Sequence, residues 1–106
     1  MTQTVWAALA DPHRRDVLDL LAAEELSVGE LVTRLSLTQP QTSKHLRVLR
    51  DAGLVRVRQR GQHRIYAVEP ESLSELDSWL ATYRRLWSRH LDRLGEHLEQ
   101  TPQGDS

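Results

Sequence analysis

Arg56, Arg58, Arg60 and Arg64 put four guanidinium groups into nine residues, with Gln62 and His63 just before the last of them. A guanidinium plane matches phosphate oxygens in a two-pronged hydrogen bond, so this run has the chemistry of polyanion binding. A second group lies upstream: Gln39, Gln41, Ser43, Lys44, His45 and Arg47 are the polar and basic types that hydrogen-bond base edges and phosphates. From Thr38 to Arg64 the chain holds seven Lys and Arg against Asp51 alone, a net of +6, which leaves −7 elsewhere in a chain of net charge −1. Charge gathered into one block in this way is the footprint of a polyanion-binding surface, and the whole-chain balance conceals it. Blander readings stand beside the sharp one. Arginines also guard edge strands against aggregation, and His45 either reads DNA or braces the turn that precedes it.

Other residues with chemical potential lie near the C-terminal end. His90 and His97 are seven apart on one helical face and, with Glu96, offer imidazole and carboxylate to zinc or nickel across a dimer; surface histidines have the same spacing. Trp79, Tyr83 and Trp87 suit either an effector pocket or an interface. There is no cysteine, which excludes disulfides and thiolate metal centres. No Gly-rich phosphate loop, nucleophile elbow or zinc-protease helix occurs, so the sequence does not read as an enzyme and calls for no cofactor.

The elements that must position these residues are legible in the patterning. With 106 residues, 39% of them hydrophobic, the chain has room for one domain over 1–100, followed by a disordered tail over 101–106. No apolar run approaches the roughly 20 residues of a membrane span, and no leader peptide opens the chain, so a cytoplasmic protein without membrane contact is expected. Val5, Trp6 and Leu9 have helical spacing in a segment too short to stand alone. Asp11-Pro12 starts a second helix with Val17, Leu18, Leu21 and Ala22 inward. Ser27-Val28-Gly29-Glu30 and Thr38-Gln39-Pro40-Gln41 both fit a capping box, one opening a short third helix and the other a fourth that runs to about Ala52. Thr42, Leu46 and Leu49 face its core side, which leaves Pro40, Ser43, Lys44 and Arg47 outward. Two short helices joined by a tight turn make a helix-turn-helix.

After Gly53 the period changes to two. Val55 and Val57 alternate with arginines, then Gly61 precedes Ile65-Tyr66-Ala67-Val68, which predicts a hairpin with a basic tip at 60–64. Pro70 marks the start of a last helix with apolar residues at Leu73, Leu76, Leu80, Tyr83, Trp87, Leu91, Leu94 and Leu98. From the first to the last of these it spans roughly 39 Å at about 1.5 Å per residue, more apolar face than so small a domain can cover, which predicts a partner helix. The fold class is therefore mainly α with a small β-hairpin.

The order of these elements resembles the winged-helix repressors of the ArsR/SmtB family. Ala10-Asp11-Pro12-His13-Arg14-Arg15 resembles the family's "ADPTRR" opening, and Thr38 to Leu46 resembles its "SQPAVSRHL" recognition helix. Leu49 to Val55 is similar to "LREAGLV". The resemblance covers about Val5 to Val68, with a looser match over Trp87 to Leu94. It implies a winged helix-turn-helix homodimer held by the first and last helices, with Val5, Trp6, Leu9, Leu80, Tyr83, Trp87, Leu91 and Leu94 at the interface. It further implies double-stranded DNA as partner: one recognition helix per subunit in the major groove, and an imperfect palindrome as operator. Gln39, Gln41, Ser43 and Lys44 would approach base edges and phosphates, and Arg58, Arg60, Gln62, His63 and Arg64 would carry the wing to the backbone or minor groove. The family's thiolate motif, like "ELCVCDL", here reads Glu25 to Leu31, with Ser27 and Gly29 at the sulfur positions. Its zinc-type pairs on the last helix are out of order in His90, Asp92, Glu96 and His97, so no metal site is carried over. Three functions compete: a dimeric repressor, a zinc- or nickel-responsive repressor using His and carboxylate ligands, and a winged-helix protein-interaction module without DNA binding. Four wing arginines favour DNA over the last.

Overall fold

The structure, a computed structural model, describes residues 2–100, and side chains over 4–98; the tail expected at 101–106 lies outside the described residues. Its elements are α1 (Thr2–Leu9), α2 (Pro12–Ala23), β1 (Leu26–Ser27), α3 (Val28–Leu35), α4 (Gln39–Asp51), β2 (Val55–Arg60), β3 (His63–Val68), a 3-10 turn over Pro70–Ser72, and α5 (Leu73–Gln100).

Helix starts follow from side chains that satisfy the free backbone amides of a first turn. Asp11 caps α2, its Oδ1 accepting from the His13 amide at 2.7 Å, with Pro12 at a position where the missing donor costs nothing. The two arginines that follow reach back. Arg14 Nε donates to the Ala8 carbonyl at 2.7 Å and Arg15 Nη1 to that of Leu9 at 2.7 Å, so the first turn of α2 occupies the open C-terminal carbonyls of α1. Both capping boxes close. The Glu30 amide donates to Ser27 Oγ at 3.2 Å while the Ser27 amide donates to Glu30 Oε1 at 2.9 Å, and the Thr38–Gln41 pair does the same at 3.2 and 3.0 Å. Ser36, at φ 57, turns the chain out of α3, and Gly53, at φ 78, turns it out of α4 towards β2.

The sheet has three antiparallel strands in the order β1-β3-β2. Val55 pairs with Val68 and Arg60 with His63, leaving a two-residue turn of Gly61 and Gln62, in which Gly61 takes the positive φ of 63° that a tight hairpin needs. The hairpin matches the expectation, but the third strand does not appear in the sequence pattern. It is two residues long, and Leu26 and Ser27 pair with Tyr66 and Ile65 across almost forty positions of chain.

Leu26, Leu31, Leu46, Leu49, Leu54 and Val17 form the core, each at most 1% exposed. Thr42 is buried among them, with its hydroxyl satisfied by the Thr38 carbonyl at 2.9 Å. Helix α1 packs on α2 and α4, and Val5 and Ala8 enter this core. Val5, expected at a partner surface, is thus buried inside its own chain, because the short α1 gains stability by covering α2 and α4 first.

The chain divides at Leu73 into two units. The winged helix forms the first. In the second, α5 starts at Leu73, three residues later than its proline suggested, because Pro70 opens a 3-10 turn instead. Its 28 residues amount to roughly 42 Å of helix. Among its described residues none is buried: Leu76 and Ala81 are half-buried and the others exposed, Trp87 at 59%. No helix among the described residues is long and apolar enough to cross a membrane.

Candidate nucleic-acid interface

One side of α4 is spent on the core through Thr42, Leu46 and Leu49, and the spacing of a helix then forces Gln39, Pro40, Ser43, Lys44 and Arg47 to the outside, where all are exposed. Pro40, Ser43, Lys44 and Arg47 border a shallow concavity on that face. Lys44 and Arg47 make no ion pair or hydrogen bond with another described side chain, so their charge is available to an outside anion.

Two of the expected contact residues have other duties. The Gln41 side-chain oxygen is held by the Thr38 amide, so only its NH2 group remains free to meet a base. His45 is turned towards α2, its ring centroid 5.7 Å from that of His13, and its Nδ1 is enclosed without a hydrogen-bond partner. Burial pushes the His45 imidazole below its ordinary pKa, and the Arg14, His13 and Lys44 charges act in the same direction against the opposing pull of Asp11. A neutral ring set against α2 braces the helix-turn-helix. His45 therefore does not share the outward face of Ser43 and Arg47.

The wing separates its arginines in a way that sequence could not show. Arg58 donates from Nε and Nη2 to Glu25 Oε1 at 3.1 and 2.7 Å, and Arg56 lies 3.5 Å from Glu69. The hydrogen bond from Arg58, aided by its charge, holds the Glu25 carboxyl below its ordinary range. These contacts pin the base of the hairpin, and they remove Arg58 from the freely available cations. Arg60 and Arg64, nearer the tip with exposed Gln62 and His63, have no such partner among the described residues. Glu25 and Glu69 were missed by sequence reasoning, since each is marked only by an arginine that the fold brings near, 33 positions away in the case of Glu25.

Of the two positions where the family resemblance places thiolates, Ser27 caps α3 through its hydroxyl and Gly29 lies in the first turn of that helix. Of the expected interface residues outside the core, Trp6 is 36% exposed and Leu9 half-buried, while Leu80, Tyr83, Leu91 and Leu94 on α5 are 40–50% exposed. His90 sits against Trp87, ring centroids 5.6 Å apart.

Known proteins share this arrangement. A family profile described as a helix-turn-helix domain matches residues 9–58. The HTH-type transcriptional regulator Rv2034 of Mycobacterium tuberculosis is 42% identical over 86 residues, covering 81% of this chain and 78% of its own. The crystal structure of an ArsR family transcriptional regulator superposes with a TM-score of 0.72 at 34% identity, over 82% of this chain and 96% of that one. The solution structure of a homodimeric winged helix-turn-helix DNA-binding domain from Mycobacterium bovis, described as a possible ArsR-family regulator, superposes with a TM-score of 0.67 at 28% identity, over 79% and 78%. With the capped helix-turn-helix, the wing and these relatives in agreement, the chain belongs to the ArsR family of winged helix-turn-helix transcriptional regulators.

Proposed function

We propose that this regulator is a cytoplasmic homodimeric repressor that silences a promoter by occupying an imperfect palindromic operator. The observation that carries the reading is the division of labour among its cations: Arg56 and Arg58 are tied to carboxylates at the base of the wing, while Lys44, Arg47, Arg60 and Arg64, on the outward face of α4 and along the distal wing, have no ion-pair partner among the described residues. Gln39, Gln41, Ser43 and Lys44 near the start of α4 address base edges and phosphates, and Arg60, Gln62, His63 and Arg64 meet the backbone or minor groove. The dimer is held chiefly by α5, through Leu80, Tyr83, Trp87, Leu91 and Leu94, with Trp6 and Leu9 of α1 contributing. The exposed apolar face of α5 supports this, as does the homodimeric state of the Mycobacterium bovis domain. Two-fold symmetry sets the half-sites about 34 to 36 Å apart.

Selection of genomic fragments on the purified protein, followed by footprinting and in vitro transcription, tests the reading. The expected result is a protected palindrome overlapping a promoter, with transcription falling as the protein is added. Retention of no fragment at low salt would defeat it, and increased transcription would replace repression by activation.

A further inference from the structure

We propose that the cleft between α4 and the wing is a phosphate seat, in which Arg50 joins Arg47 and Arg64 around one phosphoryl group. The proposal rests on the DNA-binding reading and adds a residue and a subsite to it. The cleft has a volume of about 700 Å³, and its lining includes Arg47, Arg50 and Asp51 from α4, Arg64 from β3, and the polar side chains of Gln39 and Ser43. Leu46 and Tyr66, both buried, and the half-buried Val28 form its apolar part.

Three guanidiniums line one concavity, and among the described residues none of them has a carboxylate within ion-pair distance, although Asp51 lines the same cleft. Like charges brought together on a folded surface repel one another, and elsewhere this chain offsets that with a carboxylate, as Glu25 does for Arg58 and Glu69 for Arg56. Here the one lining carboxylate, Asp51, pairs with none of the three, and a tetrahedral oxyanion accepts the forked hydrogen bonds that guanidiniums offer. Arg50 stands near the C-terminal end of α4, eleven residues or about 16 Å beyond Gln39. A phosphate held by Arg50 gives α4 an anchor besides its base-reading residues Gln39 and Ser43, which share the cleft, one that fixes the helix angle in the groove and carries no sequence information. Asp51 is the opposing element: its carboxylate repels the same anion and limits how tightly it is held.

The test measures binding to a mixed-sequence duplex of about three helical turns by fluorescence anisotropy across a salt series, for the full chain and for Arg50→Gln, Asp51→Asn and Arg60→Gln. Thermal unfolding of each variant is run in parallel. Arg50→Gln is expected to weaken binding about tenfold on any sequence and to flatten the slope of log K against log salt by about 0.9, one phosphate contact. Asp51→Asn is expected to tighten binding a few-fold, which a merely structural role for this part of α4 does not produce. If Arg60→Gln weakens binding while Arg50→Gln and Asp51→Asn match the parent, DNA binding stands and the seat is overturned. If the parent fails to bind the duplex, the DNA reading falls, and titration with inorganic phosphate at constant ionic strength decides the seat alone. Movement of the Arg47, Arg50 and Arg64 Nε resonances then assigns the cleft to a free phosphoryl compound, and no movement overturns the proposal.

Discussion

Helices α4 and α5 are both amphipathic, yet they end in opposite conditions. In thirteen residues α4 hides Thr42, Leu46 and Leu49 completely and leaves a polar face to solvent. In twenty-eight, α5 has no buried side chain among its described residues and holds Trp79, Tyr83, Leu86, Trp87 and Leu91 half in water. The period of apolar residues says that a helix needs a covering surface; whether its own chain supplies one depends on what lies within reach. Helix α4 is enclosed by α2, α3 and β2, so its stability belongs to the folded subunit. The apolar face of α5 is left exposed, and the proposed second copy would cover it.

Substitutions on the two helices should therefore fail differently. The largest effect is expected for Leu46→Ala, which empties a site 1% exposed and costs about 2 to 5 kcal/mol, a large share of the stability of a domain this small. Urea unfolding reads the loss, and a cost no greater than that of Leu94→Ala would break the contrast between the helices. Next, Leu91→Glu should leave the winged helix folded by circular dichroism while halving the mass seen in sedimentation at micromolar concentration, because it places a charge in the proposed seam. An intact dimer would move the interface elsewhere. A smaller change separates the two kinds of wing arginine: Arg60→Ala should lower duplex affinity and its salt slope, whereas Arg58→Ala, whose charge is already bound to Glu25, should lower them less. Equal losses would mean that the Glu25 pair opens on DNA.

The smallest effect concerns acid. Burial lowers the pKa of His45, so the unfolded chain takes up a proton there before the folded one does. Its contribution to stability is complete above the ordinary histidine range, near pH 6.5, and is lost as pH falls through the lowered folded value. Urea midpoints compared between pH 7.5 and pH 5.5 should fall for the parent and fall less for His45→Leu. The same dependence in both proteins would remove His45 from the account.

Local chemistry in the sequence was enough to locate the start of α2, both capping boxes, the outward face of α4 and the hairpin, because each is written in closely spaced residues or in strict alternation. Three features were not legible. Strand β1 is two residues long, too short for any period, and exists only through Tyr66 and Ile65. The inward turn of His45 sets it against His13 of α2, outside the helix-turn-helix, where the outward reading had equal local support. The pairing of Arg56 and Arg58 depends on Glu69 and Glu25, which come near only after the sheet has formed. Composition counts charges, and only the fold decides which of them are spent.

The two arginines of α2 that reach back to α1 also set an order in time. An eight-residue helix cannot persist in water by itself, and the terminal carbonyls of α1 find their partners on Arg14 and Arg15 only after α2 has formed and set those side chains in place. Helix α1 is therefore expected to form late in folding and to open early in unfolding. In hydrogen exchange its amides should open together, faster than those of α2, and Arg15→Ala should quicken that opening while the amides around Leu31 and Leu46 keep the slow rate of global unfolding.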